Sequence, residues 1–340
     1  MHFKSLITLL LAMPHLALAQ TSVWGSDKGV FREPAKADQP PALGWHHSAE
    51  AAVNFSLMSS QDVVGQTDGT SQTYGLNVKS SLNHFRQHDE WRNDFTLTES
   101  TTKTASIPRF VKSSDDLKLS TIYVRFLDNY PKVGPYARAE AAAPIFKGED
   151  IRAETKTYRM THADGSASTQ QGSTLRLTDG FLPLTTKEAV GFFYKPIKED
   201  NLQVEARLGA AALQIKAAGG YTVKGLNQAG EVDVQALNDV NQAGLEAGLD
   251  VKGKISENAG YQVSLESLTP FINDSKAGDD RDAFRLTNID GTAKLISKIT
   301  SWAAMSYDYK LKIQPQLVDR AQQIHMFVLN INFPPAGAQK

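Results

Sequence analysis

Charged residues of both signs recur at every second position in many segments of this chain. In the stretch 303–313, Asp308, Lys310 and Lys312 share one parity, and apolar or aromatic residues such as Tyr307 occupy the other. Because successive side chains of a β-strand point to opposite faces, this alternation separates a charged face from an apolar face. Faces of such different polarity need two solvents, and lipid on one side with water on the other fits best. The charged face could then select an ion or a solute.

The charges expected on the inner side of such a sheet come from nearly every segment. They are Lys79, Arg92, Asp94, Arg138, Glu140, Glu205, Arg207, Glu246, Asp250, Lys252, Glu266, Asp290, Lys294, Asp308 and Lys310. As lumen-lining groups they could set the field along a pore; alternatively, they could pair with one another and fill a narrow barrel. The room left by about twelve strands favours a water-filled lumen, and the sequence leaves both interpretations open.

Twelve amphipathic segments predict the strands of one sheet. They lie at about 46–58, 70–86, 90–104, 112–127, 132–146, 184–196, 201–218, 240–255, 258–271, 283–297, 300–314 and 321–333. Short and long connections tend to alternate between them, which is typical of outer-membrane barrels with periplasmic turns and extracellular loops. The sequence therefore predicts an all-β fold, a closed antiparallel transmembrane β-barrel of about 12 strands over 45–333. A soluble β-sandwich is the alternative, but its architecture gives no reason for loop lengths to sort in this way.

The N-terminal residues predict export, and together with the predicted barrel they indicate that the mature chain lies in the bacterial outer membrane. Residues 1–19 have the features of a cleaved signal peptide, because a charged start and a short apolar run precede the small residues Ala17 and Ala19. The proline-containing stretch 20–44 predicts a flexible periplasmic lead segment. Residues 334–340 form a short C-terminal tail after the last predicted strand.

Two connections are too long to be simple loops. Within 147–183, the stretches 155–162 and 174–177 predict a hairpin that either projects from the barrel or folds into it. Within 219–239, the stretch 221–226 predicts an extension of its strand beyond the membrane or a local β-ribbon.

Aromatic residues mark the ends of several predicted strands. Three tryptophans lie beside predicted periplasmic boundaries, together with Tyr130: they are Trp45, Trp91 and Trp302. Tryptophan and tyrosine are enriched at membrane–water interfaces, so this placement predicts an aromatic girdle.

The composition excludes several kinds of chemistry. The chain has no cysteine, and 36 basic residues nearly balance 37 acidic ones. Thiolate chemistry is thereby excluded, and no electrostatic footprint for nucleic acid is present. The histidines, including His162 and His325, lack metal-ligand spacing, and no glycine-rich phosphate loop occurs. The sequence therefore predicts no cofactor, no metal site and no enzyme.

A resemblance to a known family adds to these observations. It is carried by Phe-Leu-Pro at 181–183, by Gly-Phe-Phe-Tyr-Lys-Pro at 191–196 and the strand from Leu202, by Trp91 with 116–119, and by the last four strands. These segments resemble an uncharacterised family of bacterial outer-membrane β-barrels. The resemblance covers nearly all of the mature chain. It implies the fold and the location, and it transfers no catalytic residue.

Three functions are consistent with the sequence. The first is a passive, porin-like channel with a mixed-charge lumen, open to a small solute or ion. The second is a non-conducting structural or surface-binding barrel that uses its long extracellular loops. The third is an outer-membrane lipid hydrolase, for which no triad is evident. The expected partners are outer-membrane lipid, lipopolysaccharide and the barrel assembly machinery, and the oligomeric state stays open.

Overall fold

The computed structural model describes residues 43–60, 69–107, 109–199, 201–274, 281–300 and 303–332. The predicted signal peptide, nearly all of the lead segment, the C-terminal tail and Trp302 lie outside the described residues. In the part of the chain that the structure describes, no helix is long and apolar enough to cross a membrane.

The described chain consists of β-strands joined by turns and loops. The strands are β1 (Gly44–Ser60), β2 (Gly69–Phe85), β3 (Asp89–Lys103), β4 (Val111–Arg125), β5 (Val133–Ala143), β6 (Gly148–Thr161), β7 (Ala167–Thr178), β8 (Leu184–Lys198), β9 (Leu202–Lys216), β10 (Tyr221–Leu226), β11 (Val232–Ala236), β12 (Val240–Lys254), β13 (Ala259–Asn273), β14 (Asn288–Lys298), β15 (Ala303–Gln314) and β16 (Val318–Asn332).

Twelve of these strands form one antiparallel sheet. Its order is β1-β16-β15-β14-β13-β12-β9-β8-β5-β4-β3-β2. The first and last strands pair at two positions, Ala52 opposite Asn332 and Val53 opposite Ile331. The predicted all-β class and the long antiparallel sheet of about twelve strands are confirmed.

The connections divide the barrel into two ends. We call the end with the turns after β2, β4, β8, β12 and β14 the turn end, and the opposite end the loop end. Two details of the sequence prediction are wrong. β14 begins at Asn288 rather than near 283, because 283–286 form a turn that buries Leu286. The connection from β15 to β16 spans only 315–317, so it is shorter than the stretch 315–320 that lies between the two predicted strands.

Side chains alternate between the two faces of the barrel wall. Val190 and Phe192 on β8 are 60% and 62% exposed, whereas their neighbours Ala189 and Phe193 are 3% and 1% exposed. Leu249, in the middle of β12, is also exposed. An apolar outer surface of this kind matches the surface that a barrel presents to lipid.

Two tryptophans lie on the outer surface near the turn end. Trp45 at the start of β1 and Trp91 near the start of β3 are both exposed, and their ring centroids are 5.7 Å apart. The Trp91 indole N–H donates a hydrogen bond of 2.8 Å to the Thr121 hydroxyl. Tyr130 in a neighbouring turn is exposed as well. This arrangement agrees with the predicted girdle in the described residues.

The four remaining strands form a second sheet at the loop end, in the order β10-β11-β6-β7. β6 and β7 are the hairpin expected within 147–183, and they pair antiparallel. β11 pairs parallel with β6, which brings Val232 opposite Tyr158. The stretch Tyr221–Leu226 is a separate strand of this sheet, so it does not extend β9, which ends at Lys216. We call this element the loop-end sheet.

The loop-end sheet has its own apolar core. Met160, Leu175, Leu177, Val232 and Val234 pack around the fully buried Tyr158 ring. The Tyr158 hydroxyl donates a hydrogen bond of 3.0 Å to Asp150. Burial and the neighbouring carboxylate raise the pKa of Tyr158 to about 12, because both disfavour the phenolate.

Candidate functional site in the barrel lumen

Arg138 on β5 lies at the centre of a buried group of charges inside the barrel. Its guanidinium donates to both carboxylate oxygens of Glu246 on β12 at 2.8 Å and to Glu266 on β13 at 2.7 Å. A further hydrogen bond of 3.1 Å reaches Glu140 on its own strand. The side chain of Arg138 is only 2% exposed. One cation therefore joins strands that are well separated in the sheet order.

Two other cations complete this group. Lys187 on β8 contacts Glu246 at 2.8 Å and Glu266 at 3.3 Å. Arg207 on β9 contacts Glu266 at 2.9 Å. Glu246 and Glu266 are 0% and 3% exposed as side chains, and buried carboxylates need such cationic partners because their desolvation is costly. We call Arg138, Lys187, Arg207, Glu246 and Glu266 the ion-pair layer.

Further ion pairs connect the ion-pair layer to charges on neighbouring parts of the barrel wall. Arg207 also contacts Asp250 at 2.9 Å and Glu205 at 3.2 Å. Lys118 on β4 contacts Glu140 at 3.3 Å.

Inward-facing glycines make room for the long side chains of this layer. A Cβ atom at Gly248 would lie 2.9 Å from a terminal nitrogen of Arg207. A Cβ atom at Gly209 would lie 2.9 Å from the Tyr136 hydroxyl oxygen, and that hydroxyl donates to Glu246 at 3.3 Å. The two glycines thus leave space in the wall for the Arg207 guanidinium and the Tyr136 phenol.

A second group of charges lies nearer the turn end. Arg92 on β3 reaches across to Glu205 on β9 at 3.4 Å. Lys195 on β8 contacts Glu90 at 3.1 Å, and its ammonium lies 5.0 Å from the centre of the Phe126 ring, within the range of cation–π attraction.

Apolar side chains cover the ion-pair layer on the loop-end side. Ile215, Leu237, Val240 and Leu268 are all at most 4% exposed and belong to one cluster, against which Leu317 packs. Leu237 lies in the segment between the loop-end sheet and β12, so this segment contributes to the barrel's interior. The lumen beside β5, β8, β9, β12 and β13 is therefore filled by side chains.

The opposite side of the lumen is different. Five polar residues on the inward face of β1, β2 and β3 are partly exposed: Ser48, Asn77, Lys79, Ser81 and Asp94. Thr292, Lys294, Asp308 and Lys310 on β14 and β15 are partly exposed too. We call the first five residues the open wall. Some inward residues of these strands, such as Thr96 and Lys312, are buried.

The predicted lumen residues are brought together to different degrees. Seven of them form or adjoin the ion-pair layer: Arg138, Glu140, Glu205, Arg207, Glu246, Asp250 and Glu266. Arg92 belongs to the second group of charges. Lys294 pairs with Asp308 at 3.4 Å. Lys79, Asp94, Asp290 and Lys310 lie partly exposed and outside the layer, and Lys252 is exposed near the turn end. On the side of the lumen beside β5, β8, β9, β12 and β13, these short distances favour the alternative in which the charges pair with one another.

Several charges that take part in these contacts were not among the predicted lumen residues. They are Glu90, Lys118, Lys187 and Lys195. For Lys118 the signal was present, because it lies between Leu117 and Leu119 and shares the parity of Asp116. For Lys195 it was weaker, because the β8–β9 register shifts between Tyr194 and Ile197.

Metal and histidine chemistry adds little in the part of the chain that the structure describes. No group of three or more His, Asp or Glu residues there could hold a metal ion. One ring nitrogen of His162, directly after β6, lies 2.8 Å from the Ser168 hydroxyl, and the other lies 2.9 Å from the Tyr221 hydroxyl rather than from a carboxylate. The side chain of His325 lies outside the described residues.

Comparisons with known proteins give resemblances at low identity. No family model matches the sequence, and no curated protein matches it. The COG4313 outer membrane channel from Pseudomonas putida F1 is similar in structure at 12% identity and a TM-score of 0.40, over 89% of this chain and 98% of that one. The translocator domain of the autotransporter NalP from Neisseria meningitidis is similar at 11% identity and 0.37, over 86% and 89%. The NanC porin is similar at 9% identity and 0.36, over 83% and 98%.

By name, these structures are an outer membrane channel, the translocator domain of an autotransporter and a porin. At these identities and TM-scores we rest no conclusion on them. The resemblance to one particular family therefore stays a prediction.

Proposed function

We propose that this protein is a bacterial outer-membrane β-barrel that acts as a narrow passive channel for small polar solutes or ions, and that it is not an enzyme. The observation that carries this proposal is the open wall. Partly exposed polar side chains on the inward face of β1, β2 and β3 leave a path that water can reach. The ion-pair layer forms the opposite boundary of this path.

The outer surface supports the membrane part of the proposal. Exposed apolar side chains such as Val190, Phe192, Leu208 and Leu249 would face acyl chains, and Trp45 and Trp91 would lie at one interface. Outer-membrane lipid is then the immediate neighbour of the barrel. Contacts with lipopolysaccharide and with the assembly machinery remain predictions.

Asn77 offers a direct test of the path. Its side chain is partly exposed on the inward face of β2, where it lies opposite Ala52 and Thr98 in the register. In planar bilayers, Asn77→Asp should shift the reversal potential towards cation selectivity, and Asn77→Lys should shift it towards anion selectivity, because each adds a charge to the wall of the pore. Shifts of opposite sign exclude a general disturbance of the barrel.

A second candidate is a non-conducting barrel. It is favoured by the filled half of the lumen, where the ion-pair layer and the cluster around Leu268 exclude water. Absence of unitary conductance in folded, heat-modifiable protein would overturn the channel proposal and leave this candidate.

A further inference from the structure

The loop-end sheet borders an open pocket that the channel proposal does not use. Its volume is about 310 Å³, at the lower end of the range for small-molecule sites. The side chains that matter for recognition come from β6, β7, the turn after β7 and the start of β10. They are Met160, Gln170, Arg176, Thr178, Asp179 and Tyr221.

One side of the pocket is amphipathic and held in place. Met160 belongs to the core of the loop-end sheet, and Tyr221 packs against that core. The Tyr221 hydroxyl lies 2.9 Å from Nδ1 of His162, whose Nε2 lies 2.8 Å from the Ser168 hydroxyl. This chain of contacts fixes the aromatic ring of Tyr221 beside the pocket.

The remaining side chains provide donors and acceptors without net charge. Arg176 and Asp179 form an exposed ion pair of 3.0 Å, so that their charges cancel. The Gln170 amide supplies both a donor and an acceptor. Gln170 lies opposite Tyr158 in the register, on the face of the sheet that carries the core. The Thr178 hydroxyl is buried and accepts a hydrogen bond of 3.1 Å from the Gly148 amide.

We propose that this pocket binds a neutral saccharide unit. A sugar ring has an apolar C–H face that can stack on an aromatic ring, and hydroxyl groups that pair with amide, guanidinium and carboxylate groups. A purely apolar ligand would make no hydrogen bond with the donors and acceptors of Gln170, Arg176 and Asp179. A strongly charged ligand gains no net attraction from a lining whose charges cancel.

Saturation-transfer NMR on the full chain in lipid nanodiscs tests this inference. The probes are methyl α-D-glucopyranoside, methyl β-D-galactopyranoside and maltose. At least one should receive saturation from the wild-type protein. Gln170→Ala should weaken its binding about fivefold or more, because one polar contact is lost. Asp179→Asn should weaken it as well, because the uncharged amide oxygen is a weaker acceptor than the carboxylate.

Gln171→Ala is the matched control. Gln171 is the next residue of β7 and lies opposite Thr157, on the other face of the sheet, and it is exposed like Gln170. The Gln171→Ala protein should bind the saccharide probe as strongly as the wild-type protein does. Saturation of none of the three probes by the wild-type protein, or equal effects of Gln170→Ala and Gln171→Ala, overturns the proposal. Neither result bears on conductance.

Discussion

Arg138 shows how single residues hold the interior of this barrel together. Its guanidinium forms ion pairs with Glu246, Glu266 and Glu140 and is almost fully buried. A buried ion pair adds little to stability compared with apolar packing, but removing one partner leaves the other charge uncompensated. The cost of a substitution at this position therefore depends on what it leaves behind.

Arg138→Met should lower the free energy of unfolding by about 3 to 5 kcal/mol. Methionine is similar in length but leaves Glu246 and Glu266 with fewer cationic partners. Reversible denaturant unfolding in lipid vesicles measures the change. Lys156→Met is the control, because Lys156 pairs with Glu154 at 3.4 Å on the exposed surface of the loop-end sheet and should cost below about 1 kcal/mol. Equal small losses in both variants would mean that the layer is hydrated.

Gly248 tests the space that Arg207 occupies. Gly248→Ala places a methyl group 2.9 Å from a terminal nitrogen of Arg207, and three carboxylates restrict the movement of that guanidinium. We expect a loss of about 1 to 3 kcal/mol. At Gly291 the nearest atom would lie at 3.5 Å, so Gly291→Ala should be nearly neutral. A Gly248→Ala barrel as stable as the Gly291→Ala barrel would contradict the tight fit of Arg207.

The strands as elements were largely predictable, whereas their partners were not. Each barrel strand alternates over more than ten residues, and this local pattern is visible in the sequence. The loop-end sheet depends on the parallel pairing of Val232 with Tyr158, which joins two distant insertions and leaves no local signal. Parity likewise predicted that Arg138 and Glu246 face inward, but their contact depends on how the sheet curves.

Leu249→Arg tests the outer face at the level of one strand. Leu249 lies in the middle of β12 and is 43% exposed, so an arginine there would enter lipid. The expected cost is about 2 to 4 kcal/mol near the bilayer midplane, measured by reversible unfolding from lipid. Leu226→Arg is the matched control, because Leu226 is exposed on β10 in the loop-end sheet and should change stability by less than about 0.5 kcal/mol. Similar costs at both positions would argue that Leu249 faces water.

The two ends of the molecule differ in the length of their connections, and the channel proposal predicts which end faces the outside of the cell. Long insertions and the loop-end sheet lie at one end, and short turns lie at the other. Outer-membrane barrels place their longer loops outside the cell. Because the chain has no cysteine, single cysteines can report which end a reagent reaches.

Ala163→Cys, in the turn between β6 and β7, should react in intact cells with a maleimide that cannot cross membranes. Glu257→Cys, in the turn between β12 and β13, should react only after the cells are opened. Both residues are exposed, so burial does not explain a difference. Equal labelling of the two in intact cells would contradict this orientation.

The central claim is that water fills one side of the lumen and side chains fill the other, and a matched pair of serines tests it most directly. Ser81 is partly exposed on the open wall, whereas Ser264 on β13 is 2% exposed and its hydroxyl donates a hydrogen bond of 2.6 Å to Asp250. A negatively charged thiosulfonate should modify Ser81→Cys and reduce the current through single barrels in planar bilayers. The same reagent should leave Ser264→Cys unmodified and its current unchanged. Modification of Ser264→Cys at the same rate as Ser81→Cys, or of neither, would contradict a lumen divided in this way.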